Sequence, residues 1–169
     1  MSRRALLCCY TLELLSLATW AGGLVVIVSA VIPAVFNSFG MEAGGRFLTK
    51  VFDGYNRATV VAIAVLVSCS AARGWWEQTG STTRGRGARA ETILLVIMIV
   101  IAISIIGVLG PQSVALQEEA FLTKQEAEKK QAYDAFFRTH TAVRGLYLTN
   151  LALGIALMAV KIRNWTTRL

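Results

Sequence analysis

Thr92-Ile-Leu-Leu-Val-Ile-Met-Ile-Val-Ile-Ala-Ile-Ser-Ile-Ile-Gly-Val-Leu109 decides the fold class, because it holds no charged side chain and is dominated by large aliphatic ones. The uncharged run continues to Leu116, 25 residues in all. A bilayer's hydrocarbon core of about 30 Å needs about 20 residues of helix at 1.5 Å each. Working outward, Leu14 to Phe36 gives 23 further residues without a charge, Ala58 to Ala72 gives 15, and Gly145 to Val160 gives 16. The two shorter runs reach spanning length only with flanking residues such as Tyr55, Asn56 and Arg57, or His140 and Arg144. The composition agrees: 55% of the 169 residues are hydrophobic and 16% are charged, with mean hydropathy +0.57. A soluble domain carries about 25% charged residues. Strands of a membrane barrel would alternate between lumen and lipid, and these runs do not alternate. Helices are therefore expected.

The expected architecture is all-α, an integral membrane four-helix bundle forming a single domain over residues 1–169, with spans at about 5–36, 55–72, 92–110 and 141–160. Arg3 and Arg4 ahead of an apolar run could head a secretory signal, but Glu13 interrupts the run, which then continues past signal length. The reading is a first transmembrane helix with Pro33 near its end. Residues 37–54 are read as a connection containing a short interfacial helix, Arg46 to Phe52. Trp75 and Trp76 suit the headgroup belt. The Gly-, Ser-, Thr- and Arg-containing loop from Glu77 to Ala90 is read as flexible, helix three as starting at Glu91 or Thr92, and Gly110-Pro111 as a kink or break. Ser113 to Thr139 is polar yet rich in helix formers. Helices three and four are thus expected to project beyond the bilayer as a helical hairpin turning near Thr123 to Glu126, with Phe121 packed towards Tyr133, Phe136 and Phe137. The sequence shows no internal repeat and no low-complexity tract.

Orientation is read from Lys and Arg near span ends. One side would hold Arg3, Arg4, Arg73, Arg84, Arg86, Arg89, Lys161, Arg163 and Arg168; the other holds eight cations, of which Lys124, Lys129 and Lys130 lie far from a span. Both termini are therefore placed in the cytoplasm, with Gly80 on their side and Lys129 opposite. The net charge of +7 reads as a topology signal, since a nucleic-acid footprint needs basic residues on a soluble surface.

Polar residues inside spans are costly in lipid and are candidates for function. Glu13 is an intramembrane charge for which Arg73, Arg89 or Lys161 are available partners. Tyr55, Asn56, Arg57, His140, Arg144 and Asn150, with Tyr147, come from the outer ends of spans two and four. They are expected to face the interior together as a ligand or interaction site. His140 is the sole histidine, which excludes a haem held by two histidines of this chain and a multi-histidine metal site. No metal site and no cofactor is assigned. Cys8, Cys9 and Cys69 show no Cys-x-x-Cys spacing and are read as packing or inert thiols. No Gly-x-Ser-x-Gly, P-loop or His-Glu-x-x-His signature occurs, so no catalytic residue is named and the chain is read as not an enzyme.

The order Trp20-Ala-Gly-Gly23, Pro33-Ala-Val-Phe36, Val51-Phe-Asp-Gly-Tyr55, Phe136-Phe-Arg-Thr-His140, then Asn150, Leu151 and Gly154, resembles the transmembrane protein 205-like family. That family includes a bacterial branch of small four-helix membrane proteins of unknown function. Gly54, where a proline or aromatic is common, and the Arg- and Gly-rich central loop depart from its pattern. The resemblance implies a four-helix membrane protein and supplies no reaction. The expected role is an accessory, scaffold or interaction subunit in a bacterial inner membrane, its partners being the lipid bilayer and other membrane subunits or further copies. A transport or permeation element is the second reading, and a redox or metal-binding membrane subunit the third.

Overall fold

The computed structural model describes residues 3–79, 86–123 and 125–166. Helix α1 (Arg3–Val26) passes through a π-helical turn, Ile27–Val31, into α2 (Ile32–Thr79). Helix α3 (Arg86–Ser104) passes through a second π turn, Ile105–Leu109, into α4 (Gly110–Leu122), and α5 (Glu126–Thr166) completes the fold. Three continuous stretches are long and apolar enough to cross a membrane: Arg4–Trp76, Arg89–Leu122 and Ala127–Thr166. The apolar runs of the sequence predict four. The difference lies at Gly40, whose φ of 72° and ψ of −172° reverse the chain while helix continues on either side. A residue with a Cβ resists positive φ, so glycine permits the reversal. The first stretch is thereby folded in two, and Glu13 near its start lies 2.9 Å from Arg73 near its end.

Other boundaries move for related reasons. Residues 41–79 form one uninterrupted arm, so Arg46 to Phe52 is its first part and not a separate interfacial helix. Likewise, α2 runs to Thr79 and α3 begins at Arg86, which makes the described part of the central loop helical. Its residues 80–85, including Gly80 and Arg84, lie outside the described residues. Gly110-Pro111 does not break the chain. Proline lacks an N–H and crowds the carbonyl four residues back, and the helix accommodates this by widening: the Gly110 N–H bonds Ile105 O, five residues back. Pro33 is accommodated in the same way, with the Ile32 N–H on Ile27 O. Thr123 is extended between α4 and α5, in the expected turn region, and Phe121 meets Tyr133 edge-on at 6.5 Å. The long arm of α2 joins this hairpin. A Cβ on Gly45 would come within 2.9 Å of Gln117 Nε2, and Arg46 lies over the Phe121 ring at 6.0 Å.

The helices are inside-out relative to a soluble protein. Leu15, Val61, Ile103 and Ile155 are 59–64% exposed, while Glu13 and Lys161 are 0% and 1% exposed. A water-soluble fold would reverse both choices. Along the exposed apolar faces Thr19, Ser29, Ser104 and Thr149 return their hydroxyls to the carbonyl four residues back, so these donors do not depend on water. The core is layered. Above the level of Glu13, Leu17, Leu66, Leu95 and Leu157 pack from α1, α2, α3 and α5 as one apolar layer. Trp20, Met98 and Asn150 follow, then Leu24, Ile27, Tyr55 and Ala102.

Candidate functional site

At one end of this core, four helical segments each contribute one ionised side chain. Glu13 comes from α1, Arg73 from α2, Glu91 from α3 and Lys161 from α5. Arg73 Nη2 donates to Glu13 Oε1 at 2.9 Å and to Glu91 Oε2 at 3.0 Å. Lys161 Nζ donates to Glu13 Oε2 at 2.8 Å and to Glu91 Oε2 at 3.2 Å. Each cation thus bridges both acids, closing a ring of four ion pairs with no net charge. Ser70 Oγ adds a donor to Glu13 Oε1, and Asn164 Nδ2 adds one to Glu91 Oε1 at 2.6 Å. Every carboxylate oxygen therefore has a partner, the condition under which buried charges are tolerated.

The ring is also roofed. The Arg73 guanidinium carbon lies 4.6 Å from the centroid of the Tyr10 ring, and Tyr10 stacks on Trp165 at 6.0 Å. A cation over an aromatic face keeps part of its electrostatic stabilisation without water. Two buried groups here have no hydrogen-bond partner, Arg73 Nε and Tyr10 OH. The sequence singles out Glu13, and Arg73 and Lys161 are two of the three partners it offers. Glu91 escapes that reading because it looks like a helix start, and Arg73 and Lys161 also look like topology charges. The available signal is that two of the few acids beside apolar runs lie on the same side as those cations.

At the other end the structure divides the six outer candidates. Tyr55 is buried and donates to Trp20 O at 2.9 Å, an approach open because Gly23 has no side chain: a Cβ there would meet the Tyr55 ring at 3.3 Å. Tyr147 donates to Asn56 Oδ1 at 2.9 Å, and its ring lies 6.1 Å from that of Tyr55 and 5.4 Å from Phe52. Asn150 is buried, with Nδ2 on Met98 O at 3.4 Å and Oδ1 without a partner. Arg57 and Arg144 do not join them. The Arg57 side chain is 80% exposed and pairs with Asp53, one turn back, at 2.8 Å, and Arg144 is exposed. Their long stems point outward because a guanidinium without a buried acid is cheaper in a wet or interfacial setting. His140 is half-buried and stacks on Phe136 at 5.3 Å. A common interior cluster of all six is therefore corrected to Tyr55, Asn56 and Asn150, joined by Tyr147.

Between the two ends lies a cavity of about 10 Å³, lined by Trp20, Tyr55, Met98, Tyr147, Asn150 and Gly154 among others. That is about the room one water needs. Among the described residues, no group of three His, Cys, Asp or Glu side chains is placed to hold a metal ion.

Residues 15–121 match the family described as Domain of unknown function (DUF4149). No curated protein and no solved structure matches the chain.

Proposed function

The chain belongs to the family described as Domain of unknown function (DUF4149), and we propose that it is a small multi-pass membrane protein whose work is interaction, as an accessory or scaffold element for other membrane proteins. It crosses the bilayer four times in this reading, because the stretch reversed at Gly40 supplies two crossings. The polar hairpin of α4 and α5 projects beyond the bilayer together with the start of the long α2 arm. Both termini lie in the cytoplasm, the membrane is a bacterial inner membrane, and the kinship to transmembrane protein 205 belongs to the same proposal. No catalytic residue is assigned.

The observation that carries this reading is the self-neutralised interior. Arg73 and Lys161 are each bound to both Glu13 and Glu91, so no charge of this ring is left over to bind or relay a substrate. The leucine layer beside the ring separates it from the small cavity. The apolar surface, by contrast, is extensive on every span. Purification from the native membrane in mild detergent tests the reading: a membrane protein recovered in fixed ratio is expected. Recovery alone, together with ion or solute flux in liposomes holding only this chain, would replace it with the transport reading. That second reading has one observation in its favour, the unpartnered Asn150 Oδ1 at the cavity.

A further inference from the structure

The two π turns fall at equivalent places. Glu13 and Glu91 are 78 positions apart, and so are Leu17 and Leu95, Ile27 and Ile105, and the chain's two prolines, Pro33 and Pro111. The spacing Glu-x3-Leu-x9-Ile-x5-Pro therefore occurs twice. At the same separation Trp20 and Met98, Leu24 and Ala102, and Val35 and Ser113 are all buried. The π turns themselves, Ile27–Val31 and Ile105–Leu109, obey it at both ends. A second constant separation, 88 positions, relates α2 to α5: Arg73 to Lys161, Cys69 to Leu157, Leu66 to Gly154 and Ala62 to Asn150, each pair buried. Four of these eleven pairs are identical, so the reading of no internal repeat is corrected; the repeat is thin in the sequence because the other seven pairs share burial and not residue type.

The ring has the symmetry that such a repeat demands. Exchanging the first hairpin (3–79) for the second (86–166) carries Glu13 onto Glu91 and Arg73 onto Lys161, and it carries each ion pair onto another. The two seams differ in side-chain size. α1 sits close on α5, where a Cβ on Gly154 would meet Ala21 Cβ at 3.8 Å. The equivalent residues at the other seam are Leu66 and Ile99, too large for that approach, and there the longer Arg73 side chain makes the link to Glu91.

We infer that the chain is a duplicated helical hairpin whose buried faces form a self-complementary pairing surface read by charge, each hairpin offering one carboxylate from its first helix and one cation from its second and accepting a hairpin of the same design. The surface works between hairpins. Within one hairpin the Glu13–Arg73 pair is already satisfied; what Glu91 and Lys161 add is a requirement that acid face base across the seam. The inference goes beyond the interaction role proposed above and stands whether or not a partner protein exists.

Charge reversal in the full-length chain tests the pairing across the seam. Glu13→Arg with Arg73→Glu keeps an ion pair inside the first hairpin but sets a cation at position 13 against Lys161 and an acid at position 73 against Glu91. This double variant is expected to unfold about 10 °C lower than the parent in detergent. Adding Glu91→Lys and Lys161→Glu restores alternation, and recovery of at least half of that loss is expected. A double variant as stable as the parent, or a quadruple variant no better than the double, overturns the inference. A second measurement does not depend on reversed charges: Ala21→Cys and Gly154→Cys, with Cys8, Cys9 and Cys69 replaced by Ala, should cross-link in a circular permutant that places 86–169 ahead of 1–79. A permutant that reaches the membrane without forming this cross-link also overturns it.

Discussion

Glu13 and Arg57 are both charged residues in the first long helical stretch, and their surroundings give them opposite weight. Glu13 is fully buried and holds Arg73, Lys161 and Ser70, so removing its charge leaves two cations sharing one acid. Breaking a buried ion pair by deleting one partner costs about 3–5 kcal/mol. Glu13→Gln and Lys161→Met are each expected to lower stability by about that amount, seen as a fall in the unfolding temperature in detergent. Arg57→Ala, at an exposed pair with Asp53, is expected to change stability by about 0.5 kcal/mol or less. If Arg57→Ala proved the more damaging, the placement of these side chains would be wrong. Asn150 lies between these cases. Its single bond to Met98 O is long, and Asn150→Leu should cost about 1 kcal/mol if the residue only ties α5 to α3. Loss of a partner or a flux with unchanged stability would instead mark it as a working group.

At the scale of the helix, glycine and proline set the shape. Gly40 is the one described residue with positive φ, and it decides that the first stretch returns on itself. Gly40→Ala adds about 1–3 kcal/mol of backbone strain, because φ 72° with ψ −172° lies in a region essentially restricted to glycine. Its expected signature is a lower unfolding temperature with the Glu13–Arg73 contact retained, because the ring and the Trp20–Tyr55 hydrogen bond oppose straightening. Gly22→Ala serves as the control: a Cβ there meets nothing within 4 Å, and helix propensity favours alanine, so stability should hold or rise slightly. Pro111 does not break its helix, and Pro33 is tolerated as expected: each is absorbed by one wide turn that leaves the helix continuous.

Over the whole molecule, a prediction of topology can be separated from one of fold. In right-side-out vesicles, on a background lacking Cys8, Cys9 and Cys69, a cysteine substituted for Lys129 should react with an impermeant thiol reagent. A cysteine substituted for Gly80 should be protected. Equal reactivity at both would mean an even number of crossings between them, or a mixed orientation. Two of the nine cations assigned to the cytoplasmic side, Arg73 and Lys161, are neutralised in the ring. The remaining asymmetry rests on cations such as Arg4, Arg89 and Arg163, which are exposed.

The sequence by itself determined that the chain is helical, that its helices are long and apolar enough for a bilayer, and where α4 turns into α5. These properties are local sums: hydropathy over about 20 residues, helix propensity, and the punctuation of Gly and Pro. It also marked Glu13, because a lone acid in an apolar run stands out against its neighbours. Tertiary structure alone decided which polar residues meet. Glu91, Arg73 and Lys161 look like span-end charges until four segments bring their charged groups into contacts of 3.2 Å or less, and Arg57 and Arg144 look like site residues until the helices turn them outward. An ion pair is a property of two distant points in the chain, its strength falling off as the charges separate, and no local window contains both.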